Sequence, residues 1–351
     1  MSGAATAPAG IVSQSDRAWY IDALKVVAIA AVAIIHIVGV KATGESDGGV
    51  GWWVANALYS GARWSVPVFV MASGALLLGR AGGPMSAFYR HRFSRVLPAA
   101  VFWTVAYLMF AALFQSGTRD PGQLVALIAS GRPYNHLYFL PLIMGLYLVA
   151  PFLSRAIVPA PRGVVWGAAI VAISINVLDP LLGLLSGTAS TPDLVTWWIP
   201  FVGYFILGYA IHTARPRVGR PLLAAVLIVA VFAQAVGLWW GIGHEPMLRG
   251  YLENYLCLPT VVAAVAVFAF LRASDDGSVL PHPLLARLSI ATFGVYLCHL
   301  MIAVGLMHFG HLDASASVLA LLAVWAVTIV LAFGVAAVAI RLPIARWVVG
   351  G

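Results

Sequence analysis

Residues 20–40, YIDALKVVAIAAVAIIHIVGV, form an apolar run long enough to cross a bilayer, yet they hold Lys25 near one end and His36 near the other. A spanning helix needs roughly 20 apolar residues, and ionisable groups inside one are costly enough to be functional-site candidates by default. Lys25 and His36 are eleven positions apart. At ~100° per residue they fall within about 20° of one helix face, ~16 Å apart along the axis. A single line of this helix therefore carries a cation and, deeper in, an imidazole. Structural accounts exist for both: Lys25 can snorkel or pair with Asp22, and His36 can be a hydrogen-bonded core histidine.

Nine further runs resemble the first, at about 52–79, 96–115, 135–155, 163–184, 194–213, 220–241, 251–272, 285–308 and 315–340. Of 351 residues, 62% are hydrophobic and 9% charged, against about 25% charged in a soluble domain. The expected fold is therefore an all-α polytopic membrane protein with about ten transmembrane helices. The runs are continuous rather than alternating, which excludes a β-barrel. Pro67, Pro141, Pro200 and Pro259 fall inside runs and predict kinks. The connection 116–134 contains PGQLVALIAS, expected to form a short interfacial or re-entrant helix.

The net charge of +8 is read as a topology signal, with no nucleic acid partner expected, because the basic residues collect beside the spans. With a cytoplasmic N-terminus, fifteen Lys and Arg residues lie on the inner side. Only Lys41, Arg119, Arg132 and Arg249 lie outside, and Arg63 lies within a span. Both termini are then cytoplasmic. Residues 1–15 read as a disordered tail, 16–345 as one transmembrane bundle and 346–351 as a short cytoplasmic tail. No secretory signal is expected, since residues 1–15 carry no Lys or Arg ahead of the first apolar stretch, which is also too long for a cleaved segment. Cys257 and Cys298 sit in apolar runs and make neither a disulfide framework nor a metal-spaced cluster; no metal is expected.

Other polar residues stand out. The segment FYRHRFSRVLP, read as a loop before the third span, packs Arg90, Arg92 and Arg95 around His91. Such a cluster is either positive-inside charge or an anion cradle, since guanidinium forks bind phosphate bidentately. Arg92 and Arg95 would share a face if a helix begins before Pro98. Arg63 and Ser73 fall in the second span, within ARWSVPVFVMASGALLLG; Ser73 is ordinarily a packing residue. Asn135, His136 and Tyr138 open the fourth, with His136 expected at the hydrated outer interface. Tyr296 and His299, in GVYLCHLM, lie near mid-membrane.

Taken together, these residues resemble the acyltransferase-3 family of integral membrane acyltransferases. That family places a basic residue, ten residues and an essential histidine on its first helix, here Lys25 and His36. It also carries two arginines with two residues between, here Arg92 and Arg95 in RFSR. YIDAL, VPVFVMASG, HLYFLPLIMGLYLVAP, GYFILGYAI and TFGVYLCHLM resemble family stretches in the family's order, from about residue 19 to 300. Two departures bear on function. The basic residue is usually Arg; Lys25 keeps the charge and loses the fork. The fourth helix lacks the glutamate of members acting on O-antigen or peptidoglycan, and is more like stand-alone enzymes that acetylate or succinylate surface polysaccharides. The resemblance is to the stand-alone type, with no SGNH-type domain expected after the bundle.

The resemblance implies acyl-CoA as donor, with acetyl the first expectation. The implied acceptor is a hydroxyl of a surface polysaccharide, lipid-linked sugar or similar molecule, and the implied setting is the lipids of a bacterial inner membrane. Lys25, Arg92, Arg95 and Arg90 would hold the phosphates. His36 would act as general base or carry the acyl group as an acyl-imidazole. Arg63, Ser73, Asn135, Tyr138 and His299 would polarise the carbonyl or position the acceptor. The rival reading is a transporter or flippase of a lipid-linked glycan. It fits a polytopic bundle but lacks an inverted repeat or a carboxylate relay. A second rival, an inactive sensor or scaffold, fits poorly with the retained His36, Arg92 and Arg95.

Overall fold

The computed structural model describes residues 18–44, 48–81, 83–114, 121–130, 133–187, 196–214, 218–275 and 283–350. The expected N-terminal tail, Arg17, Arg119, Arg132, Arg215 and Arg217 lie outside them. Among the described residues the regular structure is helical. The chain begins with α1 (Trp19–Ile37), α2 (Gly39–Ala42), α3 (Val50–Ala62) and α4 (Ser65–Leu77). There follow α5 (Met85–Phe114), α6 (Pro121–Ala129), α7 (Phe139–Ile157), α8 (Arg162–Ser186) and α9 (Val202–Ala214). The last five are α10 (Arg220–Gly243), α11 (Pro246–Leu252), α12 (Leu258–Ala273), α13 (Pro283–Phe309) and α14 (Val318–Arg341).

Among the described residues eight stretches are long and apolar enough to cross a membrane; Ile199–Ala214 and Leu258–Ala273 are apolar but shorter. Together they coincide with the ten runs read from sequence, so the protein is an all-α polytopic membrane protein. PGQLVALIAS is helical as expected, over α6.

Three local expectations change. The second run breaks at Arg63–Trp64 into α3 and α4, and the eighth is interrupted between α11 and α12. FYRHRFSRVLP is no loop: it lies within α5, which continues through Pro98. The prolines expected to kink spans sit instead at helix starts. Pro67 and Pro141 are third residues of α4 and α7, Pro259 is second in α12, and Pro200 lies in a 3-10 turn ahead of α9. First-turn N–H groups have no intrahelical acceptor, so a missing donor costs nothing there.

Burial sorts the helices into a centre and a rim. The Val50–Arg80 stretch is 78% buried over its apolar window, while Arg162–Ser186 is 11% buried. α8, α10 and α14 turn Ile175, Leu182, Phe232, Leu319 and Val330 outward, the apolar coat a bilayer requires. In lipid the association of central helices rests on close packing. α4 and α9 meet backbone to backbone, where a methyl at Gly74 or Gly208 would overlap the facing Phe205 or Met71 carbonyl. Trp325 Nε1 donates to Ala30 O (2.9 Å), tying α14 to α1.

Connections that the sequence placed on one side meet each other. Lys41 Nζ donates to Ala314 O (3.2 Å), and Arg249 Nη2 to Thr43 O (2.7 Å). Arg155 Nη2 donates to Gly83 O (3.0 Å), and Arg272 Nε to His212 O (3.1 Å). Residues 345–350 fold back on the bundle: Trp103 Nε1 of α5 donates to Val348 O (2.7 Å), and Val349 is buried.

Candidate active site

A cavity of about 410 Å³ runs between α1, α4, α5, α7 and α13. Lys25 and His36 both line it, so the face counted from their spacing is the face turned inward. Around Lys25 the wall adds Arg80, from the turn after α4, with Arg92 and Arg95 of α5. The middle is apolar, with Val32, Phe69, Leu76, Ile143 and Phe293. At the His36 end stand His136, Tyr138, Tyr255 and Tyr296. Among the described residues that line it, none is an Asp or Glu. One end is thus suited to an anion, and the middle to a chain without charge.

Arg92 and Arg95 are one helical turn apart on α5 and face the same space. The Arg92 guanidinium lies over the Phe88 and Tyr147 rings, 5.8 and 5.9 Å from their centres. Its Nε is buried without a hydrogen-bond partner, a donor left free for an anionic group. Arg95 is exposed at the rim, and Arg90 is exposed and outside the lining. Arg80 was missed as a site residue by the sequence reading. Its only sequence signal is a basic residue closing an apolar run, and packing alone brings it into the cavity wall with Arg92.

At the other end three imidazoles meet. Ring centres are 6.0 Å apart for His36 and His136, 5.6 Å for His36 and His299, and 5.3 Å for His136 and His299. His36 is in the last turn of α1 and partly open to the cavity. His299 is fully buried behind it on α13. His136 was expected at the hydrated outer interface. It is instead 2% exposed. The turn before α7 dips into the bundle, pinned by Tyr296 Oη donating to His136 O (2.6 Å). Distance from the edge of an apolar run therefore misjudged its depth. Among the described residues no group of His, Cys, Asp and Glu side chains is arranged to hold a metal ion.

The remaining sequence candidates spread around this end. Tyr138 lines the cavity, its ring 5.0 Å from Trp197 and 6.3 Å from Tyr255. Ser73 lines it too, with Oγ donating to Phe69 O (2.9 Å). Arg63 is buried at the α3–α4 break and engaged by the protein itself. Its Nη1 donates to Tyr59 Oη (2.7 Å), its Nη2 to Glu253 O, and its guanidinium lies 4.6 Å from the Tyr255 ring centre. It lies outside the lining, against Tyr255, which lines the cavity. Asn135 is exposed and outside the lining.

A family model described as an acyltransferase domain matches residues 18–341. The chain belongs to the acyltransferase-3 family. No curated protein and no solved structure matches it. With its apolar helices, this family member is an integral membrane acyltransferase. Both halves of the basic-residue and histidine pattern, and both arginines of RFSR, face the one cavity.

Proposed function

We propose that this acyltransferase moves an acyl group, acetyl in the first instance, from cytoplasmic acyl-CoA to a hydroxyl of a surface polysaccharide, lipid-linked sugar or similar acceptor. The observation that carries the reading is the single cavity that has four cations at one end and His36 at the other. Lys25, Arg80, Arg92 and Arg95 would hold the phosphates of coenzyme A. The pantetheine arm would lie along the apolar middle, over the ~16 Å between Lys25 and His36, and bring the thioester to the imidazole. The positive-inside bias puts the cation end at the cytoplasm, where acyl-CoA is made, in the inner membrane of a bacterium.

His36 acts as general base. It takes the proton of the acceptor hydroxyl as the oxygen bonds to the thioester carbon. The C–S bond then breaks, and the imidazolium returns the proton to the departing thiolate. Tyr138, which lines the cavity beside this centre, is the hydroxyl donor for the carbonyl oxygen.

The test is transfer of radiolabel from acetyl-CoA to the lipid or polysaccharide fraction of membranes. Wild type is expected to transfer and His36→Ala to fail while inserting normally. Transfer by His36→Ala would overturn the role given to the histidine. Label remaining on the wild-type protein after acid quench, and absent from His36→Ala, would replace the general base with an acyl-imidazole relay.

A further inference from the structure

We propose that His299 is a positioning residue that fixes the tautomer and ring orientation of His36. This deepens the reading of His36 as the base and rests on it. The starting point is the tautomer of His299 itself. Its Nδ1 faces two carbonyl oxygens, Tyr296 O at 2.7 Å and Val295 O at 3.2 Å. Carbonyls only accept, so the Nδ1 carries the proton and Nε2 presents a lone pair. That Nε2 is buried and has no hydrogen-bond partner, in a side chain with 0% exposure.

Two imidazoles flank this ring, His136 at 5.3 Å between centres and His36 of α1 at 5.6 Å and tilted by 45°; of the two, His36 is the proposed base. In the proposed arrangement the His36 imidazole turns toward that lone pair and closes a hydrogen bond of about 2.9 Å, as catalytic contacts tighten when substrate binds. In that bond the N–H of His36 donates to Nε2 of His299. The other nitrogen of His36 must then carry the lone pair, and it is the nitrogen left for the cavity. His299 thereby selects the basic tautomer, and as His36 takes the acceptor's proton the same bond stabilises the imidazolium.

The setting holds His299 firmly. Tyr107 Oη donates to Leu297 O (2.9 Å) and accepts from the Met301 N–H (3.1 Å). These two groups lie one turn apart on α13, so the α5 tyrosine clasps the turn that bears His299. Tyr296, whose carbonyl receives Nδ1–H, is fixed in turn by its hydroxyl on His136 O (2.6 Å). Such locking is what a supporting residue needs if it is to aim another.

The test compares two polar replacements that differ in reach. His299→Gln places an amide oxygen near the position of Nε2 and keeps an acceptor for His36. His299→Asn stops short, near the position of Nδ1. Both are purified in detergent, checked by gel filtration and thermal unfolding, and assayed for kcat and for KM of acetyl-CoA. His299→Gln is expected to keep kcat within about tenfold of wild type, and His299→Asn to lose about 10²-fold in kcat, with KM within about twofold for both. Equal turnover in the two variants, whether high or low, overturns the proposal, as does an effect confined to KM. His36→Ala, run alongside, separates the two levels. If it still transfers, the base assignment fails; if it is inactive while Asn and Gln behave alike, only the positioning role fails.

Discussion

The two ends of the cavity are built on opposite principles. The cation end is assembled from three separate pieces of chain, Lys25 on α1, Arg80 after α4, and Arg92 with Arg95 on α5, and Arg80 and Arg95 are exposed. The imidazole end is buried and locked, with His136 and His299 inside the bundle and their neighbours Tyr107 and Tyr296 bonded to backbone. Charge near water attracts and tolerates variation, since each exposed contact is weak and screened. Buried groups in contact are unforgiving, because every one fixes the next. One end thus suits capture of a charged donor, and the other suits chemistry on its thioester.

The contrast predicts a ranking of effects. The largest falls at the buried end: His36→Ala should lower turnover by about 10³-fold, within the range of general acid–base catalysis, while acyl-CoA affinity stays within about twofold. Comparable turnover would erase the distinction between the ends. Next comes Arg92, the half-buried cation with an unused Nε. Arg92→Ala should weaken coenzyme A binding by about 10- to 100-fold, the scale of 1.5–3 kcal/mol for hydrogen bonds to charged groups. Isothermal titration reads this directly, and an unchanged Kd would remove the cradle.

Smaller effects belong to the rim. Arg95→Ala and Arg80→Ala should each raise KM for acyl-CoA by only about three- to tenfold, and added salt should mimic them without lowering kcat at saturation. Smallest of all is Arg90→Ala. This side chain is exposed and outside the lining, so KM and kcat should both stay within about twofold. A large loss there would mean that the donor extends beyond the cavity.

What the sequence made legible follows from periodicity. The apolar runs announce the bundle because each must satisfy its backbone within itself. Lys25 and His36 announce a shared face because eleven residues are close to a whole number of turns, and RFSR does the same on α5 once the helix is seen to pass through Pro98. Contacts between distant segments leave no such trace. The turn holding His136, the place of His299 behind His36 and the approach of Arg80 depend on how α1, α5, α7 and α13 pack. The break at Arg63 is equally tertiary, since a buried guanidinium at the end of α3 is engaged by Glu253, far along the chain. The prolines misled for a related reason: a ring that would kink a helix interior is harmless in its first turn.

The central claim is that donor capture and acyl transfer occupy opposite ends of one cavity, and it is tested most directly by titrating acetyl-CoA into purified His36→Ala and Arg92→Ala side by side. The account predicts that His36→Ala binds with wild-type affinity yet transfers no label, and that Arg92→Ala binds weakly yet transfers when the donor is in excess. The contrary pattern, with binding lost in His36→Ala and intact in Arg92→Ala, would contradict it.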